Sequence, residues 1–235
     1  LTSSIRLAGT YLTQPLRWEE GSWITAGGVA TGTALSIAFA DQAVRDRALR
    51  DRSATGDQLA NIGNVMGGGI PSVAVGGVLY LGGLVGRESR VRTAGLHVAQ
   101  SFAYAGVAVT ALKFILGRAR PYTNEGTTAF HGPSMKDGWY SLPSGHVTVA
   151  TALASSLACD LESPVASVGL GALAATTVFA RIYTDHHWLA DTFLGAALGT
   201  ATGVWVTHQD RSESAPRTGW LLSPTPTGLA ATYQF

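Results

Sequence analysis

Three short stretches carry residue types suited to gripping and attacking a phosphate: Lys113 to Pro121 (KFILGRARP), Pro143 to His146 (PSGH) and Arg181 to Asp191 (RIYTDHHWLAD). Each borders an apolar segment, so their polar groups can gather at one end of a helical bundle. Lys113 and Arg120 are seven residues apart, two helical turns, and share a face if the helix runs that far; Pro121 biases Arg120 away from continuing it. Arg120 would suit a bidentate grip on phosphate oxygens and Lys113 a compact point charge. Basic residues at helix ends also snorkel or meet the helix dipole, so this pair alone decides nothing. Arg118 lies two residues before Arg120, faces elsewhere on a helix and fits neither role.

Ser144 reads as an N-cap and Gly145 as a place for close backbone approach, at the start of an apolar helix whose free N–H groups bind anions. His146 would then sit in the first turn, placed to protonate a departing alkoxide. A plain helix start with an incidental histidine is the bland alternative. The third stretch is the sharpest. Arg181 ends one apolar segment, Thr184-Asp185 turns the chain, and His187 opens the next with Asp191 four residues on. That spacing lets the carboxylate accept the His187 Nδ1–H and leaves Nε2 as a nucleophile. His186, five residues from Asp191, is rotated off that face and reads as a neighbour. An aspartate inside an apolar helix needs a partner, and His187 is the nearest candidate. Asp185, His186, His187 and Asp191 follow no metal-ligand pattern, and the nearby cations favour an anion, so neither a metal nor another cofactor is expected.

Taken in order, Lys113-x6-Arg120-Pro121, then Pro143-Ser144-Gly145-His146, then Arg181-x5-His187-x3-Asp191, the chain resembles the type 2 phosphatidic acid phosphatase superfamily. The resemblance covers roughly residues 93–206; the first ninety agree only in being helical and apolar. It departs at Ala180, where the family usually has a serine whose hydroxyl contacts phosphate. The resemblance implies that His187 forms a phosphohistidine, Asp191 orients it, and His146 protonates the leaving group and later activates water. Lys113, Arg120, Ser144, Gly145 and Arg181 would hold the phosphate. In-line phosphoryl transfer needs mainly positioning and positive charge, which these groups supply.

Six apolar, nearly uncharged segments are predicted as helices: 22–40, 70–86, 93–117, 145–159, 164–183 and 188–206. The fold class is therefore all-α, a bundle of about six core helices, membrane-associated, with the site at one end. The connection 41–57 carries four arginines and four aspartates and reads as a solvated surface helix or loop. Residues 122–142 form the longest irregular connection; His131, Lys136, Trp139 and Tyr140 there are candidates for shaping substrate choice. Gly28 and Gly32, then Gly195, Gly199 and Gly203, are spaced four apart and suit close helix packing. Residues 1–208 read as one helical domain and 209–235 as a polar tail, whose Leu229, Ala231, Tyr233 and Phe235 alternate weakly.

Of 235 residues only 13% are charged, 46% are hydrophobic and 29 are glycine, a profile of membrane or tightly packed helices. The mean hydropathy, +0.19, is only mildly positive. A net charge of +1 with no basic run excludes nucleic acid as a partner. The single cysteine, Cys159, permits no internal disulfide and reads as filling a helix end. The chain starts at Leu1, which allows for a removed targeting segment. The leading expectation is a metal-independent phosphatase acting on a lipid phosphate or pyrophosphate, its site facing the exported side of a membrane. The alternatives are a soluble periplasmic acid phosphatase, a vanadate-dependent haloperoxidase and a non-catalytic helical membrane protein. Oligomeric state is not legible in the chain.

Overall fold

A computed structural model of the chain describes residues 9–11, 13–214, 219–225 and 228–234, with side chains as far as Gln209. Leu1 and Phe235 lie outside the described residues. Eight α-helices are found among them: α1 (Glu20–Leu35), α2 (Asp41–Arg50), α3 (Ala54–Gly67), α4 (Gly69–Val85), α5 (Ser89–Leu116), α6 (Gly145–Leu161), α7 (Pro164–Tyr183) and α8 (Leu189–Ser214). A π-helical turn, Ser36–Ala40, joins α1 to α2 without a break in direction of the chain. Strands β1 (Gly219–Thr225) and β2 (Gly228–Gln234) pair antiparallel as a hairpin. The backbone is thus almost wholly helical up to residue 214.

Local chemistry explains the helix ends. Ser53 and Ser163 accept hydrogen bonds from Gly56 N and Ala166 N as N-caps, and Pro164 occupies the first position of α7. Gly117 closes α5 in the left-handed conformation, at φ +57, with its N–H on the Lys113 carbonyl. A Cβ there would fall 2.0 Å from the Gly132 carbonyl oxygen, so both backbone angle and space demand glycine.

Four helical segments are long and apolar enough to cross a bilayer: Glu20–Arg50, Ser89–Leu116, Pro164–Tyr183 and Leu189–Gln209. α3 and α4 together pass the same test but meet at 54°. Large apolar side chains such as Phe39, Ile70, Val78, Val107, Val165 and Val168 point outward, the arrangement a hydrocarbon solvent favours. The chain is a membrane protein.

α6 lies at the centre, packed against α5, α7 and α8, and its residues Val147–Leu153 are buried. Its closest approach is to α8: a Cβ on Gly199 would sit 2.1 Å from the Thr148 carbonyl oxygen, so helix backbones touch there. Of the earlier glycine pair, Gly32 abuts the Phe193 ring while Gly28 faces open space.

The segment 41–57, read as a solvated helix or loop, forms α2 and the start of α3 and is not wholly solvated. Asp41 is 1% exposed, and Arg45 makes a bidentate pair with Asp185 at 2.7 and 2.9 Å. Its mixed charge partly serves buried and half-buried pairing rather than solvation.

Candidate active site

α5 delivers Lys113 in its last turn, 7% exposed, where its Nζ donates to the carbonyls of Tyr140 and of Ser141, the latter at 3.1 Å. The helix stops at Leu116, so Arg120 is not two turns further on. It arrives on an extended strand-like segment pinned by Ala119 N to Ala129 O and Arg120 N to Gly138 O, 2.9 and 2.8 Å. Arg120 and Arg181 nonetheless lie close enough to Lys113 to repel its charge. Arg120 donates one hydrogen bond to the exposed Asp137 carboxylate at 3.1 Å.

Pro143-Ser144-Gly145-His146 sits at the entry to α6. Ser144 does not act as a side-chain cap; its hydroxyl is buried, and its backbone N–H donates to the Asp191 carbonyl at 2.9 Å. Gly145 is where the first two motifs meet, since a Cβ there would lie 3.6 Å from Lys113 Cε. His146 lies within electrostatic reach of Arg181, Lys113, Arg120 and His186.

Arg181 occupies the last turn of α7. One of its terminal nitrogens donates to Asn64 Oδ1 of α3 at 2.9 Å. Among the described residues, Arg120 Nε, Ser144 Oγ and Arg181 Nε are buried with no hydrogen-bond partner in the protein. Buried donors are ordinarily satisfied, so three unmatched ones around a lysine form a cradle suited to an oxyanion. Ala180 is fully buried against Gly63, where a Cβ would come within 2.8 Å of its own; the departure from the family's serine lies on a helix contact.

His187 does not open α8 but sits two residues before it, its N–H held by the Arg181 carbonyl at 3.1 Å. Asp185 takes a left-handed turn at φ +60 to bring it there. The ring is 3% exposed, and Nδ1 lies 3.4 Å from both Asp191 Oδ2 and Ser141 Oγ. Nε2 therefore points away from the carboxylate. Burial pushes the His187 imidazole well below the usual histidine range, Lys113 and Arg181 push the same way, and the Asp191 carboxylate opposes them. His186 is half-buried, donates from Nδ1 to the Thr184 carbonyl at 2.8 Å and meets the Tyr122 ring edge-on.

Asp191 is held more firmly by others than by His187. Oδ2 accepts from the Ser141 hydroxyl at 2.5 Å and Trp188 N at 2.9 Å, and Oδ1 accepts from Arg118 at 2.7 Å. Arg118, to which sequence reasoning gave no role, is fully buried and spans Asp191 and Asp41, each at 2.7 Å, beneath the Trp188 ring. Asp41 Oδ1 in turn accepts Ala190 N at 2.8 Å, so α8 is capped from α2.

Beside the cradle an open apolar groove of about 800 Å³ runs along α5, lined by Phe102, Gly106, Thr110 and Phe114 at four-residue intervals and walled by Met135 and Tyr140. Tyr140 joins the two regions: its ring lines the groove and its carbonyl binds Lys113. In the connection above, Trp139 stacks on His131 at 3.8 Å, carries Lys136 over its ring and donates to Glu125. Among the described residues no group of three His, Cys, Asp or Glu side chains is placed to hold a metal ion.

The model of the PAP2 superfamily matches residues 94–214, just over half of the chain. The chain belongs to the PAP2 superfamily. Every sequence-predicted site residue falls within the PAP2 match, whereas Asp41 lies outside it. The PAP2 segment is similar to the lipid A 1-phosphatase of Porphyromonas gingivalis, 36% identical over 107 residues that make up 45% of this chain and 21% of that protein. The chain thus spans about a fifth of the length of that relative. In fold it is similar to a transmembrane PAP2-type phosphatidylglycerolphosphate phosphatase from Bacillus subtilis, with TM-score 0.64 and 18% identity over 80% of this chain and 96% of the other. LpxE of Aquifex aeolicus has TM-score 0.56 and 21% identity over 72% and 94%. These likenesses extend the shared PAP2 fold well beyond residues 94–214.

Proposed function

We propose that the protein is a membrane-embedded phosphatase that removes phosphate from a lipid phosphate monoester or diphosphate through a phosphohistidine. The observation that carries this is the set of buried, unmatched donors on Arg120, Ser144 and Arg181, gathered with Lys113 beside His187 and His146. In the first step His187 Nε2 attacks the terminal phosphorus, the bond to the leaving oxygen breaks (of the lipid alkoxide in a monoester, of the lipid monophosphate in a diphosphate), and His146 gives that oxygen its proton. Asp191 and Ser141 keep the remaining proton on Nδ1. In the second, water loses a proton to His146 and displaces His187 from phosphorus, releasing inorganic phosphate. Lys113, Arg120 and Arg181 neutralise the equatorial oxygens throughout, and the Gly145 backbone permits their close approach.

A lipid rather than a water-soluble ester is favoured by the spanning helices and by the groove that ends at Tyr140, which can receive a hydrocarbon chain. The lipid A 1-phosphatase relative points to the same class of substrate. Purified protein should release phosphate from phosphatidate or a polyprenyl diphosphate in the presence of a chelator, and His187→Ala should not. Activity lost to the chelator and restored by a divalent cation would contradict the mechanism. We assign the site to the exported face. With Cys159 replaced by alanine, a cysteine at exposed position 136 should react with an impermeant thiol reagent in intact cells; reaction only after permeabilisation would reverse the assignment.

A further inference from the structure

Resting on the phosphohistidine reading, we infer that Asp41 and Arg118 are positioning residues of the phosphoryl-transfer site, Asp41 supplying the charge that leaves Asp191 net negative beside His187. Arg118 is 0% exposed, donates from Nε and a terminal nitrogen to the Thr127 carbonyl, and lies between the Trp188 and Phe130 rings. It contacts Asp191 at 2.7 Å, so on its own it would cancel the charge that should favour a cationic or phosphorylated imidazole. Asp41, on the far side of the same guanidinium at 2.7 Å, restores it: two carboxylates against one cation leave the buried cluster with one negative charge.

The arrangement also fixes geometry. Asp41 Oδ1 binds Ala190 N and Asp191 Oδ2 binds Trp188 N, so both carboxylates meet the N-terminal end of α8, where its dipole favours anions. Because Arg118 fastens one to the other, Asp191 has no freedom to turn away from His187. Asp41 follows directly on the π-helical turn Ser36–Ala40, an irregularity often found at functional sites. The site therefore includes a side chain from the first spanning segment, outside the family-matched region.

The groups facing His187 are Asp191, the Ser141 hydroxyl, Lys113 and Arg181; those facing Asp41 are Arg118, the Ala190 N–H and Asp191. Asp41→Asn keeps an oxygen for Ala190 N, removes the charge and sets an amide NH2 where Arg118 now finds an acceptor. On phosphatidate in detergent micelles it should lower kcat about tenfold with KM changed by less than about twofold, and move the acid limb of kcat/KM to lower pH. Arg118→Gln leaves the two carboxylates without their cation and should move that limb to higher pH, while the double variant should bring it back near wild type. Loss of packing alone does not produce opposite displacements. An Asp41→Asn enzyme with wild-type kcat and acid limb overturns the inference, whether or not Arg118→Gln folds. Turnover retained by His187→Ala would instead overturn the phosphohistidine reading itself.

Discussion

Arg118 holds Asp191 at 2.7 Å, while His187 Nδ1 stands off the same carboxylate at 3.4 Å. Asp191 is thus anchored by a buried cation and a serine hydroxyl, and presents to the histidine a carboxylate already fixed in place. In the proposed mechanism its contribution is therefore orientation and charge.

Replacing Asp191 by asparagine should therefore leave substrate binding nearly intact and lower kcat by roughly 10³-fold or more, as loss of an orienting carboxylate does in other histidine-dependent sites. Steady-state kinetics on phosphatidate check this. A loss confined to KM would show that Asp191 serves binding instead.

The pH dependence follows from the depressed His187. A buried imidazole that stays neutral below the usual histidine range, about 6.5, remains nucleophilic there, so the acid limb of kcat/KM for the wild type should lie below that value. In Asp191→Asn the opposing pull of the carboxylate is gone, and the residual activity should fall off at still lower pH. A limb at or above the ordinary histidine value in wild type would contradict the burial-driven shift.

Arg120→Lys removes the planar fork while keeping the charge, and should raise KM for phosphatidate about tenfold. Asn64→Ala frees a terminal nitrogen of Arg181 that the protein now holds at 2.9 Å, and should raise KM more modestly. Inhibition by inorganic phosphate should weaken in the same order. Unchanged phosphate inhibition in Arg120→Lys would remove Arg120 from the cradle.

Gly106 lines the apolar groove, and a Cβ there meets no atom within 4 Å, so Gly106→Phe fills space without straining the helix. The groove runs about 18 Å from Phe102 to Phe114 at the helical rise. The variant should hydrolyse long-chain phosphatidate with a several-fold higher KM and treat p-nitrophenyl phosphate as wild type does. Equal effects on both substrates would place the lipid chain elsewhere.

The candidate site was legible where it is written locally. Lys113, Arg120, Ser144, His146, Arg181, His187 and Asp191 carry residue types whose spacing alone suggests an anion and a nucleophile, and the fold brings their motifs to one end of the bundle. What escaped was support acting over distance. Arg118 meets Asp41 across 77 residues and Asp191 across 73, separations that no periodicity records. Asp41 was hidden in a segment whose alternating charges average to a solvated surface, though an aspartate directly after an apolar helix was a signal of burial. A helix at α2 is one of the two forms open to that segment, whereas most of α3, residues 58–67, mixes glycine and asparagine among its apolar residues, which weakens the helical signal; and because Gly117 ends α5 three residues before Arg120, the helical face that Lys113 and Arg120 would have shared does not form. Ser141, two residues before the PSGH motif, gave no sign of its bond to Asp191 because that contact depends on how the entry to α6 meets α8.

Rapid quenching of the enzyme during turnover, followed by mass-spectrometric mapping of bound phosphate, tests the central claim most directly. Acid-labile phosphate should be found on His187 and be absent in His187→Ala; with an activated ester whose leaving group needs no proton, it should accumulate in His146→Ala, which slows the attack of water on the phosphohistidine. Sustained turnover with no phosphoenzyme under these conditions, or phosphate on another side chain, would contradict the account.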